Sequence, residues 1–466
     1  MVNRLTIAMI QTQYTDIPKH GKYKAAYKRF DLYWGLGVEH ETYLKTTQTK
    51  DITTFEGAMK QERYSVNYYA VYKPEPLKAA LAGLLAVEGG SLRVPILVNS
   101  HSMTHCDVFN IHRTTYEKTP KPNPAYCGVT FWEWICGLSP WLRDSFDACF
   151  TWDGDTVEFM TQRFYKATVK ECMAELRDIT GRFEAELKRL PRKGFLSGYG
   201  PLCLAAPRNE PFAVHLTNLR NVAMFNNGTL HINLTLPTRL GWNRRPLCWK
   251  RFVSQHRRLA RLIQWLEPVM IAMYGSGDPL AAVSDRYAAG SQRVAVSRYI
   301  GLGTFDTDAM FAGKVLTLKR DGLGPMPWYD WLAERTDYIQ LDSIGMDLNF
   351  NKHGAHGLEL RFFDQMPYDA LAALLEKLVL VMDAALAIKE VEDPRKNRVW
   401  WSAAGQSLLE GKGWQLSAEQ QESLYKAFHI RNIVCKEPMY VEDVWKCICH
   451  ELVRYKGVCW KYMMPI

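Results

Sequence analysis

Two glutamates one residue apart, Glu39 and Glu41 in Gly35-Leu36-Gly37-Val38-Glu39-His40-Glu41, open the list of residues whose types and spacing could do chemistry. In a strand, successive side chains point to opposite faces, so Glu39 and Glu41 share one face while Val38 and His40 take the other. At roughly 6–7 Å along the strand the two carboxylates are too far apart to hold one ion snugly. They are well placed to give one ligand each to neighbouring divalent cations, and hard oxygen donors suit Mg²⁺ or Mn²⁺ bound with nucleotide phosphates. The same pair is also what an ordinary solvated strand face carries. What joins it decides between the two.

Three later stretches repeat the design. After the turn at Trp152-Asp153-Gly154-Asp155 comes a short strand that holds Glu158 between apolar neighbours, just ahead of a long helix. From Asn226 to Pro237 a two-faced strand puts Ile232, Leu234 and Leu236 on one side and His231, Asn233 and Thr235 on the other. In Gly357–Phe363, Glu359 and Arg361 share a face opposite Leu358, Leu360 and Phe362. Carboxylates, an imidazole and a guanidinium are the groups needed to hold divalent ions against a triphosphate and to neutralise charge as the terminal phosphoryl group moves. Arg286, Arg293 and Arg298 add guanidinium forks suited to carboxylate or phosphate, although a surface position explains any single one equally well.

The elements that must position these groups are legible from periodicity. Apolar residues at helical spacing predict helices over 164–190, 249–274 and 368–388, closed by Pro191 with Gly194 and by Gly275-Ser276-Gly277-Asp278-Pro279 in the first two cases. A short helix is expected over 76–86, strands over 64–72 and 94–98, and a polar, threonine-rich loop over 46–54. His101, His105, Cys106 and His112 invite a zinc reading, but their spacing matches no standard module. Pro120-Lys121-Pro122-Asn123-Pro124 marks a loop, and Phe131, Trp132, Trp134 and Trp141 beyond it read as core packing. Past Pro394 the pattern changes to short helices. Cys447, Cys449, His450 and Cys459 there are read as buried thiols in an amphipathic helix rather than as a metal cluster.

With 466 residues, 47% of them hydrophobic, the chain is long enough for a sizeable core. Its longest apolar run, 371–388, is interrupted by Glu376, Lys377 and Asp383, so no membrane-spanning helix is expected. Nor does the start at Met1-Val2-Asn3-Arg4 lead into a signal-peptide core. Eleven cysteines without a Cys-x-x-Cys pair read as reduced thiols, and a cytoplasmic location is expected. The net charge of +9 favours anionic partners without choosing among them. The basic run over 19–29 is read as a solvated face, so nucleic acid is not the expected partner.

Taken in order, Gly-x-Glu-x-Glu, the Glu158 segment before a long helix, Asn-Gly-x-x-His-x-Asn, and Glu-x-Arg before another helix resemble the carboxylate-amine ligases of the glutamine synthetase-like superfamily. The pattern is most similar to the amidoligases and the glutamate-cysteine ligases, over roughly 30–390. The resemblance implies an α+β fold: an antiparallel or mixed curved sheet with helices on its outer face. A catalytic domain would occupy 1–392, with a Trp- and Pro-rich insertion at about 100–150, and a helical C-terminal appendage 393–466. It implies ATP and two or three Mg²⁺ or Mn²⁺ ions as cofactors, with Glu39, Glu41, Glu158, His231 and Glu359 as metal ligands. Asn233, Arg361 and Arg293 would contact the nucleotide, and Arg298 and Arg286 the substrate carboxylate. Arg361, Glu359 and His231 would take part in catalysis.

The implied reaction joins a small-molecule or peptide carboxylate to an amine through an acyl phosphate, with assembly of identical chains left open. Two departures from the family pattern bear on the substrate: Asn233 stands where many amidoligases have a second histidine, and Met160-Thr161 where they have Ser-Pro. The alternatives are a guanidino-kinase-like phosphotransferase on the same sheet and a catalytically silent descendant that binds or builds.

Overall fold

The computed structural model describes residues 32–54, 74–98, 131–146, 148–153, 156–161, 168–192, 200–214, 226–239, 247–285, 287–296, 358–431, 433 and 435–459. In chain order the main elements are β1 (Leu32–Thr42), β2 (Leu44–Ile52), α1 (Pro74–Val87), β3 (Leu92–Val98), α2 (Phe131–Leu138), α3 (Pro140–Ser145), β4 (Phe150–Asp153), β5 (Thr156–Met160), α4 (Val169–Arg189) and β6 (Leu202–Leu204). They continue with β7 (Gly228–Arg239), α5 (Trp249–Tyr274), α6 (Gln292–Val296), β8 (Leu358–Asp364), α7 (Tyr368–Ala387), α8 (Arg398–Glu410), β9 (Gln415–Leu416), α9 (Ala418–Ala427), β10 (Met439–Tyr440) and α10 (Val441–Leu452). The fold is α+β, built on antiparallel sheets.

The principal sheet has the order β4-β5-β1-β7-β8, with every paired strand antiparallel. β1 is therefore central, and the residues of period two on it decide what each face holds. On one face Leu36, Val38, Val157, Phe159, Leu230, Ile232, Leu234, Leu358 and Leu360 are buried, α4 and α5 pack over the strands that carry them, and α7 packs on both helices. Phe183 of α4 seats its ring 4.9 Å from both Phe150 and Phe159, in edge-on geometry that favours aromatic pairs. The other face carries the polar residues.

α4 begins at Val169 because the Thr168 hydroxyl accepts from the Glu171 amide at 3.2 Å, capping the first turn. α5 runs over the range its apolar period predicts, from Trp249 to Tyr274. The threonine-rich loop expected over 46–54 is instead mostly strand. β2 pairs with β3 and β6 in a second sheet, its Leu44, Thr46 and Ile52 turned inward and its charged residues outward. Threonine is β-branched and fits a half-buried pleat, and that preference prevails over polarity here. Phe150–Asp153, which the turn reading passed over, pairs with β5, its Asp153 opposite Thr156. The strand expected over 64–72, the histidine group at 101–112 and the proline loop at 120–124 lie outside the described residues.

The helices after 398 share one buried core with the rest: α8, α9 and α10 pack on α5, and α10 also on α7. Asp383 of α7, 2% exposed, accepts from the Gly457 and Cys459 amides at 2.9 and 2.7 Å and so ties the last described turn to the sheet-covering layer. Cys449 and Cys459 are buried in this layer as expected. Among the described residues no helix is long and apolar enough to cross a membrane.

Candidate active site

The polar face is assembled by register. Glu39 of β1 stands opposite His231 of β7, Glu41 opposite both Thr229 of β7 and Glu158 of β5, and Asn233 opposite Gly37 on one side and Glu359 of β8 on the other. Directly opposed side chains in an antiparallel pair lie about 4.5–5.5 Å apart at Cβ. Gly37, without a side chain, leaves room on this face between Glu39 and the sheet end.

The result is a buried charged cluster. His231 Nδ1 lies 3.3 Å from Glu39 Oε2, 3.3 Å from Glu41 Oε1 and 3.6 Å from Glu359 Oε1. Glu39, His231 and Glu359 are each 1% exposed and each offers a ligand atom within 4.8 Å of the others. Arg361 Nη1 donates to Glu359 Oε1 at 3.1 Å. Thr229 Oγ1 donates to Glu41 Oε2 at 2.9 Å and lies 3.3 Å from His231 Nε2. One imidazole nitrogen has one proton or one lone pair, so Nδ1 cannot satisfy three carboxylates at once. A divalent cation can, and the three carboxylates are hard oxygen donors of the kind that suit Mg²⁺ or Mn²⁺. Asn233 adds a second indication: its Nδ2 is buried, with no hydrogen-bond partner, beside the carboxylates. A buried amide donor in that condition calls for an acceptor such as a phosphate oxygen.

The candidates fall into three groups. Glu39, Glu41, His231, Glu359 and Arg361 are brought together, with Asn233 and Glu158 in register beside them. Glu158 is 7% exposed and stands opposite Glu41. Arg293 is turned elsewhere: it is 2% exposed, and its guanidinium contacts Asp364 and the carbonyls of Arg361 and Phe363 on β8. Arg286 and Arg298 lie outside the described residues.

Two participants went unread. Thr229 belongs to the same face as His231 and Asn233, and the period of two that found those residues extends to it. On the opposite face, His40 binds the cluster strand to its support. The Gln365 side-chain amide lies 3.1 Å from His40 Nε2, and the Tyr368 hydroxyl 2.8 Å from His40 Nδ1. Burial lowers the pKa of His40 to about 4, so this ring is neutral. Only tertiary pairing reveals that role, since Tyr368 and Gln365 lie more than three hundred positions away.

No protein-family model matches the chain. It is 36% identical over 405 residues to the uncharacterized protein R704 of Acanthamoeba polyphaga mimivirus, an alignment that covers 85% of this chain and 70% of the relative. The chain belongs to the family of that viral protein. Among solved structures it is similar to a bifunctional glutathione synthetase from Pasteurella multocida, with 11% identity and a TM-score of 0.38, over 97% of this chain and 49% of the other. The chain thus spans about half the length of that enzyme.

Proposed function

We propose that the chain is an ATP-dependent carboxylate-amine ligase of glutamine synthetase-like type, and that the polar face of the principal sheet is its nucleotide and metal platform. The observation that carries this reading is the convergence of Glu39, His231 and Glu359, three buried ligand donors within 4.8 Å of one another, with Arg361 beside them. Glu39, Glu41, His231 and Glu359 would hold Mg²⁺ or Mn²⁺, with Glu158 contributing through Glu41. Ions bound there would neutralise the phosphate oxygens and orient the terminal phosphate of ATP.

The chain's own groups then have defined tasks. Arg361 brings a permanent positive charge to the edge of the cluster, suited to an oxygen of the phosphoryl group in transfer. Asn233 offers its amide to the nucleotide. Arg298 and Arg286 are proposed to hold the substrate carboxylate, whose oxygen attacks the terminal phosphorus and displaces ADP. The amine lone pair attacks the acyl carbon of the resulting acyl phosphate, inorganic phosphate leaves and the nitrogen gives up a proton, so an amide forms without a covalent enzyme intermediate. We assign this chemistry to the part before 393, with the C-terminal helices as its appendage.

The test is ATP turnover by the full chain with Mg²⁺ across a panel of amino acids, small acids and amines. ADP release that requires both an acid and an amine, with an amide seen by mass spectrometry, supports the ligase. A phosphorylated acceptor without amide assigns the chain to phosphotransferases. Failure of the native protein to bind nucleotide sinks both and leaves a binding role.

A further inference from the structure

β8 supplies Glu359 and Arg361, and it does not run straight between them and its end. Ile232 of β7 faces Leu360 and Leu230 faces Phe363, so His231 alone stands opposite Arg361 and Phe362. That is a one-residue bulge, made by Arg361 and Phe362 together. A bulge breaks the ladder locally and re-aims a side chain. The carbonyls at it need donors, because an unpaired buried carbonyl costs as much as a lost hydrogen bond.

Arg293 of α6 supplies them. Its Nη2 donates to the Arg361 carbonyl at 2.7 Å and to the Phe363 carbonyl at 2.8 Å, bracketing the bulge, while Nε donates to Asp364 Oδ1 at 3.0 Å. Asp364 is itself fixed by the Ser276 amide at 2.7 Å, the Ser291 hydroxyl at 2.7 Å and Asn226 Nδ2 at 3.1 Å. The same Ser291 hydroxyl accepts from the Val294 amide at 3.1 Å, which sets the start of the helix that carries Arg293. Arg293 and Asp364 are 2% and 0% exposed, so solvent does not screen this clamp.

We propose that Arg293 is a positioning residue: by spanning the bulge in β8 it fixes the backbone of Arg361, and with it the guanidinium held against Glu359 at the cluster. Arg293 thus acts through Arg361 rather than on the nucleotide, and the catalytic half of this inference rests on the ligase reading above. A lysine at 293 keeps a charge for Asp364 but lacks the planar fork that reaches the two carbonyls and the carboxylate together.

Two readouts on the full chain separate the two ideas. Hydrogen exchange of peptides over 358–364 is compared in wild type and Arg293→Lys, and kcat and KM for ATP are measured in both. The expected result is exchange in β8 faster by at least tenfold, with β1 and β5 unchanged. With it, kcat should fall about 30-fold at a KM for ATP within threefold of wild type. Adding Arg361→Ala to Arg293→Lys should cost little more than Arg361→Ala alone. Unchanged exchange in β8, a raised KM with kcat kept, or losses that multiply in the double variant would each overturn the proposal. If Arg293→Lys does not fold, Asp364→Asn replaces it and should show the same pattern more weakly. If wild type turns over no ATP, the ligase reading fails on its own, and the exchange result alone decides whether Arg293 holds the bulge.

Discussion

Each acidic residue of the cluster is ordinary by itself, and only its neighbours give it a role. Glu39 and Glu41 were legible as a pair because strand geometry puts residues two apart on one face. The distances of 3.3 and 3.6 Å from His231 to three carboxylates were not, since they depend on which strands lie beside β1. Arg293 illustrates the reverse case. A guanidinium near a phosphate-binding pattern reads as a nucleotide contact, and the structure sets its Nη2 against the carbonyls of Arg361 and Phe363. His40 sits between the two glutamates in sequence and serves the other face. Its neutral ring lies edge-on to Tyr368, with centroids 5.5 Å apart, and bonds Gln365 and Tyr368. His40→Ala therefore removes buried packing and the ring's bonds to Gln365 and Tyr368, and should destabilise the protein by about 2–4 kcal/mol. Urea unfolding would show it as a lower midpoint; a loss below about 0.5 kcal/mol would contradict the assigned role.

At the scale of elements, periodicity served best where an element buries one clean face. α5, α7, β7 and β8 fall within two residues of their expected limits because leucines and isoleucines mark the buried side. β2 escaped because only Leu44, Thr46 and Ile52 turn inward, too few apolar positions to outweigh a run of threonines, lysine and aspartate. Joints between elements carry measurable weight. Gly228 opens β7 at φ 152°, and a Cβ there would come 2.0 Å from the Glu41 carbonyl oxygen. Gly228→Ala should push β1 and β7 apart at the cluster, costing on the order of 2–4 kcal/mol and weakening divalent-ion binding along with stability. A variant of wild-type stability would refute that close approach. Thr168→Ala removes the cap of α4 and is expected to cost about 1 kcal/mol in chemical denaturation, without affecting ion binding.

Across the whole molecule, one core joins the sheet, its covering helices and the C-terminal helices that follow the boundary expected near 393. The cysteines report on that core. Burial pushes the Cys449 thiol up to about 12 and raises Cys459 as well, while Cys248 is exposed. Because alkylation needs the thiolate, a raised pKa means that both buried thiols stay protonated, and unreactive, throughout the neutral range. Brief iodoacetamide treatment of the native protein at pH 8 should label Cys248 and spare Cys449 and Cys459, which become labelled only in denaturant. Equal labelling of Cys449 in the native state would contradict the packing of α10 on α5 and α7.

The central claim is that the polar face of the principal sheet holds divalent ions together with ATP. Electron paramagnetic resonance of Mn²⁺ titrated into the full chain, with and without ATP, tests it most directly. The account predicts bound Mn²⁺ that increases in the presence of ATP, and a loss of at least tenfold in affinity for Glu39→Gln and Glu359→Gln in variants that keep the wild-type unfolding midpoint. Mn²⁺ that stays free in solution with the native protein, or binds the two glutamine variants as tightly as wild type, would contradict it.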